Sequence, residues 1–175
     1  RVLVTGGAGY IGQHVCKALL KAGITPLICD TRAHLGFEYG LVPYTADIND
    51  PLRFYDYLLR HTVDGVIHLA ASIDAAESTR QPGKYYRNNV QGTMNVIDSM
   101  IRAHTWRFVF ASSAAVYSPK SFGIDYVDRL EEDDPIGNCA SVYGTTKTVA
   151  EQYIRDVSGV TTNFSPVILR LFNVS

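Results

Sequence analysis

The sequence is poor in several residues and patterns that would assign it to a class at once. Its three cysteines, Cys16, Cys29 and Cys139, are odd in number and lack C-x-x-C spacing, which argues against a disulfide framework or a zinc knuckle. Two of them fall in apolar segments expected in a core, so the expectation is reduced structural thiols in a cytoplasmic protein. His14, His34, His61, His68 and His104 form no H-x-x-x-H or Cys/His grouping, and no metal site is expected. No apolar run approaches the ~20 residues that cross a bilayer, and no signal-peptide pattern follows Arg1, so no membrane partner is expected. Sixteen basic residues against 17 acidic ones leave a net charge of -1, which argues against nucleic acid or another polyanion as partner. Internal repeats and low-complexity tracts are also missing. With 46% hydrophobic residues, the 175-residue chain suffices for one domain over residues 1–175 with a well-buried core.

Glycine is abundant, and its placement carries the first positive signal. Val2-Leu3-Val4 runs into Thr5-Gly6-Gly7-Ala8-Gly9-Tyr10-Ile11-Gly12, a strand followed by a turn and an amphipathic helix with Ile11, Val15, Leu19 and Ala22 on one face. Unpaired N–H groups and a positive dipole end at such a helix start attract a pyrophosphate, provided no side chain stands in the way. Gly7 and Gly9 keep the backbone close to the phosphates, and Gly12 lets the helix pack on the strand. Asp30 closes the next apolar run, Ile24 to Cys29, where a carboxylate accepts from both hydroxyls of an adenosine ribose and repels a 2'-phosphate. The reading is a dinucleotide site preferring NAD over NADP, with Arg32 leaving some room for the phosphorylated form. The plainer alternative is an ordinary strand-to-helix turn with Asp30 as a solvated strand end.

Apolar, β-branched runs recur at Val2–Val4, Thr25–Asp30, Leu41–Thr45, Gly65–Ala70, Arg107–Ala111 and Val167–Leu171, alternating with segments of helical period. That alternation implies an α/β domain with a doubly wound parallel sheet covered on both faces. Pro51 after Asp50 starts a helix to Arg60 with Leu52, Tyr55 and Leu59 on one stripe. Longer helices are expected over about 82–104 and 143–158, and 118–138, rich in glycine, proline and acids, is expected to be a long loop at the ligand-binding end of a strand.

Two later motifs point to chemistry. Tyr143-Gly144-Thr145-Thr146-Lys147 puts a phenol and an ammonium one helical turn apart on one face. Because tyrosine titrates near ~10, it serves as a base around neutrality only if nearby positive charge lowers that value. The alternative is a buried aromatic beside a solvated lysine. Phe110-Ala111-Ser112-Ser113 ends the fifth expected strand, where small hydroxyls can bind a sugar hydroxyl or carbonyl, Ser113 being the better placed. Otherwise the serines only satisfy backbone groups.

Thr5-Gly-Gly-Ala-Gly-Tyr-Ile-Gly12, Asp47-Ile48, His68-Leu-Ala-Ala71, Tyr85-Tyr-Arg-Asn-Asn-Val-Gln-Gly-Thr93, Ser112-Ser-Ala-Ala-Val-Tyr117, Tyr143-Gly-Thr-Thr-Lys147 and Leu169-Arg-Leu-Phe-Asn-Val174 run through the whole chain. Together they resemble the extended short-chain dehydrogenases/reductases, and within them the nucleotide-sugar 4-epimerases of the UDP-glucose type. The resemblance implies a Rossmann fold of strand order 3-2-1-4-5-6, with most of a C-terminal substrate lobe missing from this chain. It implies NAD held by Gly6, Gly9, Tyr10, Ile11, Gly12, Asp30, Thr31, Asp47, Ile48, Leu69, Ala70, Ala71, Asn88, Ser112, Tyr143 and Lys147. Tyr143, Lys147 and Ser113 would be catalytic, and Ser113, Tyr143 and Asn173 would touch a UDP-sugar. A homodimer through the two long helices is the implied assembly.

The departures matter as well. Ile73 stands where many epimerases carry a lysine, Thr31 and His34 where asparagine is frequent, and Ser118 where glycine is usual. Ala114-Ala115 replaces the Asp-Glu pair of the related dehydratases, which disfavours water loss. The expected activity is 4-epimerisation by transient oxidation at sugar C4. The alternatives are an NAD(P)-dependent keto-sugar or carbonyl reductase and a non-catalytic NAD-binding domain.

Overall fold

A computed structural model of the chain describes residues 1–32, 44–118 and 130–174. Strands β1 (Val2–Thr5), β2 (Pro26–Asp30), β3 (Tyr44–Thr45), β4 (Gly65–His68), β5 (Arg107–Ser113) and β6 (Ser165–Leu171) form one sheet. Its order is β3-β2-β1-β4-β5-β6, and every neighbouring pair is parallel. Helices α1 (Tyr10–Lys21), α2 (Pro51–His61), α3 (Ala75–Arg80), α4 (Pro82–Tyr85), α5 (Gly92–Arg102) and α6 (Val142–Val160) connect them, with a π-helical segment at Tyr86–Gln91 and a 3-10 turn at Ala114–Val116. Six parallel strands in this order are the Rossmann-like architecture expected from the sequence.

Strand alternation divides the core in two. Leu3, Val66, Phe108 and Phe110 face the large layer built from α2, α5 and α6, where Phe54, Leu58, Val96, Ile97, Met100 and Ile154 are buried. Val4 and Ile28 face the opposite layer, where Cys16 of α1 packs with Val15 and Leu19. The cysteines are free thiols, two of them buried. Burial pushes the Cys16 thiol up to about 11 and, with Asp30 and Asp47 nearby, the Cys29 thiol up to about 12, so both are held protonated and inert.

Several boundaries and faces differ from the sequence-based expectation. Strand β4 stops at His68, not Ala70, whereas β5 continues to Ser113. Only Tyr44–Thr45 of the third run is described as strand; Leu41, and also His34, lie outside the described residues. Most of the 118–138 loop does too, although Tyr117 and Ile136 form an antiparallel bridge at its base. Helix α3 was not expected; Asp74 caps it by accepting from the Glu77 N–H at 2.8 Å. The helix expected over 82–104 is interrupted, its register widened at Tyr86–Gln91. Helix α2 presents the other stripe to the core. Leu52 and Leu59 are exposed, while Phe54, Tyr57 and Leu58 are buried. This face carries more aromatic area, and Tyr57 stacks on Tyr44 at 4.2 Å between ring centroids. Tyr55 lies under the Arg102 guanidinium at 4.3 Å. No helix among the described residues is long and apolar enough to cross a membrane.

The face assignment of α2 gives a direct stability prediction. Phe54→Ala is expected to cost about 3–5 kcal/mol and Leu52→Glu no more than about 0.5 kcal/mol. Urea unfolding of the two variants checks this; equal losses would mean the sequence-based stripe is the buried one.

Candidate active site

The C-terminal ends of β1, β2, β4, β5 and β6 open onto one cavity of about 1100 Å³. Its wall includes the residues proposed from the sequence for cofactor, substrate or chemistry, from Gly6 and Asp30 to Tyr143, Lys147 and Asn173, except Gly7, which packs instead against Ile28 of β2. That convergence follows from the parallel topology, which brings all strand C-termini to one edge.

The glycine turn forms the floor. A Cβ on Gly12 would lie 2.4 Å from the Gly6 carbonyl oxygen, and one on Gly6 2.7 Å from the Ala70 nitrogen; neither tolerates a side chain. Helix α1 is capped at Gly9 without a side-chain hydrogen bond and has no acid in its first turn, so its leading N–H groups are open to an anion. Asp30 is buried and far from a solvated strand end. One carboxylate oxygen accepts from the Ala8 N–H at 3.0 Å, and the other from the Arg32 N–H at 2.9 Å. A carboxylate has about four acceptor sites, so Asp30 staples the turn and still presents lone pairs to the cavity. An uncapped helix start, a side-chain-free turn and an acid one strand away fit a dinucleotide.

Asp47 is exposed and accepts from the Asn49 backbone N–H at 2.8 Å, while Ile48 is buried. Ile48 is also the wall against which Gly92 packs: a Cβ there would sit 2.5 Å from its δ-methyl. Leu69, Ala70 and Ala71 form the far wall, followed by Ser72. The π-segment positions this wall. Buried Asn89 accepts from the Ser72 N–H at 2.8 Å, and its amide donates to the Ser72 carbonyl at 2.9 Å and toward Thr146 Oγ1 at 3.2 Å. Its neighbour Asn88 faces the cavity.

The reactive groups meet at the β5 end. Ser113 Oγ accepts from the Ala115 N–H at 3.1 Å, and its own hydroxyl hydrogen-bonds the Tyr143 phenol. Ser112 also lines the cavity, but its hydroxyl turns inward and donates to Glu151 at 2.6 Å. Ser141 caps α6 by accepting from the Gly144 N–H at 3.1 Å, and Ser78 Oγ accepts from the Tyr143 N–H at 3.0 Å. A Cβ on Gly144 would lie 2.2 Å from the Ala115 carbonyl oxygen. The helix carrying Tyr143 therefore approaches Ser113 only because that position has no side chain.

Lys147 is buried, donates to the Ala111 carbonyl at 2.7 Å and lies 4.6 Å over the Phe110 ring. Burial brings its ammonium down to about 8, with Glu151 pushing back up, so it stays protonated at neutrality. Tyr143 is raised above its ordinary value by burial, opposed by the Ser113 hydroxyl. The protein alone therefore keeps it a phenol, and the lowered value expected from the sequence needs further positive charge in the cavity.

Residues 2–175 match the model of the NAD dependent epimerase/dehydratase family. The chain belongs to that family. UDP-glucose 4-epimerase of Yersinia pestis is 37% identical over 98% of this chain and 52% of its own length. Two solved UDP-glucose 4-epimerases superpose closely: that of Brucella ovis in complex with NAD, TM-score 0.86 at 34% identity over 98% of this chain and 51% of that one, and that of Bifidobacterium longum in complex with NAD+ and UDP, TM-score 0.86 at 30% over 97% and 52%. The chain thus spans about half the length of the relatives it matches. Within this epimerase/dehydratase chain, Ser78, Asn89, Gly144 and Glu151 are site-building residues the sequence reading missed. Gly144, inside the Tyr143–Lys147 motif, and Asn89, inside the Tyr85–Thr93 motif, carried a local signal; Ser78 and Glu151 did not.

Two measurements test the site. Gly144→Ala should destabilise the protein by about 1–3 kcal/mol through overpacking, and Ser78→Ala, which removes one cap, by about 1 kcal/mol; no effect for Gly144→Ala in thermal unfolding would remove the close-approach argument. In the cofactor-free protein, the ultraviolet phenolate difference between wild type and Tyr143→Phe should stay flat up to pH ~10. A Tyr143 signal titrating near neutrality would contradict burial as the dominant effect.

Proposed function

We propose that the chain is the cofactor and catalytic half of a nucleotide-sugar 4-epimerase of the UDP-glucose type. The observation that carries this reading is the single cavity onto which the glycine turn, Asp30, Ser113, Tyr143 and Lys147 all open. NAD, when bound, supplies a reversible hydride acceptor. The proton belongs to the protein. Tyr143 takes it from the sugar C4 hydroxyl as that carbon is oxidised and returns it when the 4-keto sugar is reduced on its other face. Ser113, whose hydroxyl hydrogen-bonds the Tyr143 phenol, holds the C4 oxygen beside it. Lys147 keeps a positive charge one turn from the phenol, favouring the phenolate. Ala114 and Ala115 supply no acid or base for water loss, which separates this site from a dehydratase.

Leu69, Ala70 and Ala71 with Asn88 are assigned to the nicotinamide side, Asp30 and Thr31 to the adenosine ribose, Asp47 and Ile48 to the adenine, and Asn173 to the UDP-sugar diphosphate. A cytoplasmic homodimer through α5 and α6 is part of the same reading; Tyr86, just before α5, and Val149 on α6 are exposed apolar groups there. A reductase using NADPH is the second reading, and Arg32 favours it: its Nε lies 3.4 Å from Asp30, where it offsets part of the repulsion of a 2'-phosphate.

The intact protein is expected to purify with bound NAD and to interconvert UDP-glucose and UDP-galactose with no added reductant. Tyr143→Phe should retain the cofactor and lose at least ~100-fold in kcat. Stoichiometric consumption of NADPH without C4 inversion would replace the epimerase with the reductase.

A further inference from the structure

Behind the cavity, α6 carries a carboxylate that the reaction as described does not use. Glu151 lies one helical turn beyond Lys147, on the same face, and is fully buried. Both of its oxygens are saturated. Oε1 accepts from Ser112 Oγ at 2.6 Å and Arg170 Nε at 3.1 Å, and Oε2 from Arg155 Nη2 at 2.6 Å and Arg170 Nη2 at 3.0 Å. Arg170, on β6, also donates to the Tyr117 hydroxyl at 3.1 Å and to the Glu132 carbonyl at 2.9 Å. One carboxylate thus joins the end of β5, β6, α6 and the base of the loop after β5.

The geometry points to Glu151 as a positioning residue for the proposed reaction: its carboxylate, one turn from Lys147 but bonded to Ser112, Arg155 and Arg170 rather than to the ammonium, is the clamp that holds the β5 end, with Ser113, against α6 and places a buried anion behind Lys147. This rests on the epimerase reading above. Stability alone is a poor reason for such a group, because a buried ion pair rarely outperforms apolar residues of the same shape. Its placement supplies a better one. Lys147 is desolvated, its ammonium faces the Ala111 carbonyl and the Phe110 ring on β5, and neutral His68 on β4 lies on the sheet side. Glu151 is the anion that opposes loss of the Lys147 proton. Burial raises its own carboxyl, but Arg170, Ser112 and Arg155 together hold it below its ordinary value, so it is charged throughout the neutral range.

Glu151→Gln keeps the shape and removes the charge. In the intact protein, the ε-carbon of Lys147 followed by 13C NMR should titrate roughly one pH unit lower than in wild type, since the ammonium loses its anion. The alkaline limb of kcat should move the same way, with kcat down ~10–100-fold, as for other groups that support a functional centre, and KM little changed. Glu151→Asp, which restores the charge, should return the titration towards wild type. If Glu151→Gln does not fold, Glu151→Gln/Arg155→Gln, which removes a cation with the anion, should show a smaller shift in the same direction, because Arg155 no longer repels the ammonium. An unmoved Lys147 titration with only a lower Tm would overturn the inference and leave Glu151 a structural residue. The NMR readout needs no substrate, so an inactive wild type or an active Tyr143→Phe would sink the epimerase reading, and with it the catalytic part of this inference, while the coupling of Glu151 to Lys147 is still decided by the titration.

Discussion

Two helices must come against strand ends more closely than any side chain permits, and the site exists because they do. At Gly12, α1 meets the backbone of Gly6 and Gly7; at Gly144, α6 meets the carbonyl of Ala115, where a Cβ would stand 2.2 Å away. The first approach brings the open N–H groups of α1 over the cavity. The second delivers Tyr143 to Ser113 and Lys147 to the Ala111 carbonyl. Both contacts are backbone against backbone, so neither can be relieved by a rotamer change.

A buried polar chain holds the opposite wall in place. The Ala70 N–H donates to Thr5 Oγ1 at 3.3 Å, Thr5 lies 2.6 Å from His68 Nδ1, and His68 Nε2 lies 3.1 Å from Thr93 Oγ1. Thr93 spends its proton on the Asn89 carbonyl at 2.7 Å. His68 must then donate through Nε2 and accept at Nδ1 from Thr5, which assigns its tautomer from the network. Burial, with Lys147 nearby, brings His68 down to about 3, so it remains neutral and the chain keeps one direction. The widened π-turn belongs to this arrangement: it lets Asn88 face the cavity while Asn89 turns inward to the Ser72 backbone.

Electrostatics within the cavity is a contest that the protein leaves unfinished. Desolvation works against both charged forms needed for base chemistry, raising Tyr143 and lowering Lys147. Glu151 counters the second effect from behind the strand. Nothing among the described residues fully counters the first, so ionising the Tyr143 phenol near neutrality would take positive charge brought into the cavity.

Much of the fold was legible in the residues, because parallel strands buried on both faces read as continuous apolar runs and the phosphate turn demands glycine at fixed spacing. The dinucleotide turn and the Tyr143–Lys147 pair were visible because each is local, within one turn or one loop, and Asp30 and Ser113 because each ends a legible apolar strand. The buried stripe of α2 was not, since Leu52, Tyr55 and Leu59 satisfy helical period as well as Phe54, Tyr57 and Leu58 do, and only the partner surface of Tyr44, Val96 and Met100 chooses between them. Nor were the inward roles of Ser112, Asn89 and Glu151, whose partners lie 39, 17 and 19 residues away. Sequence by itself determined which elements form and which chemical groups stand at their ends. Tertiary structure alone decided which groups face the cavity and which are spent holding it, because that depends on distances between strands and helices that no local pattern encodes.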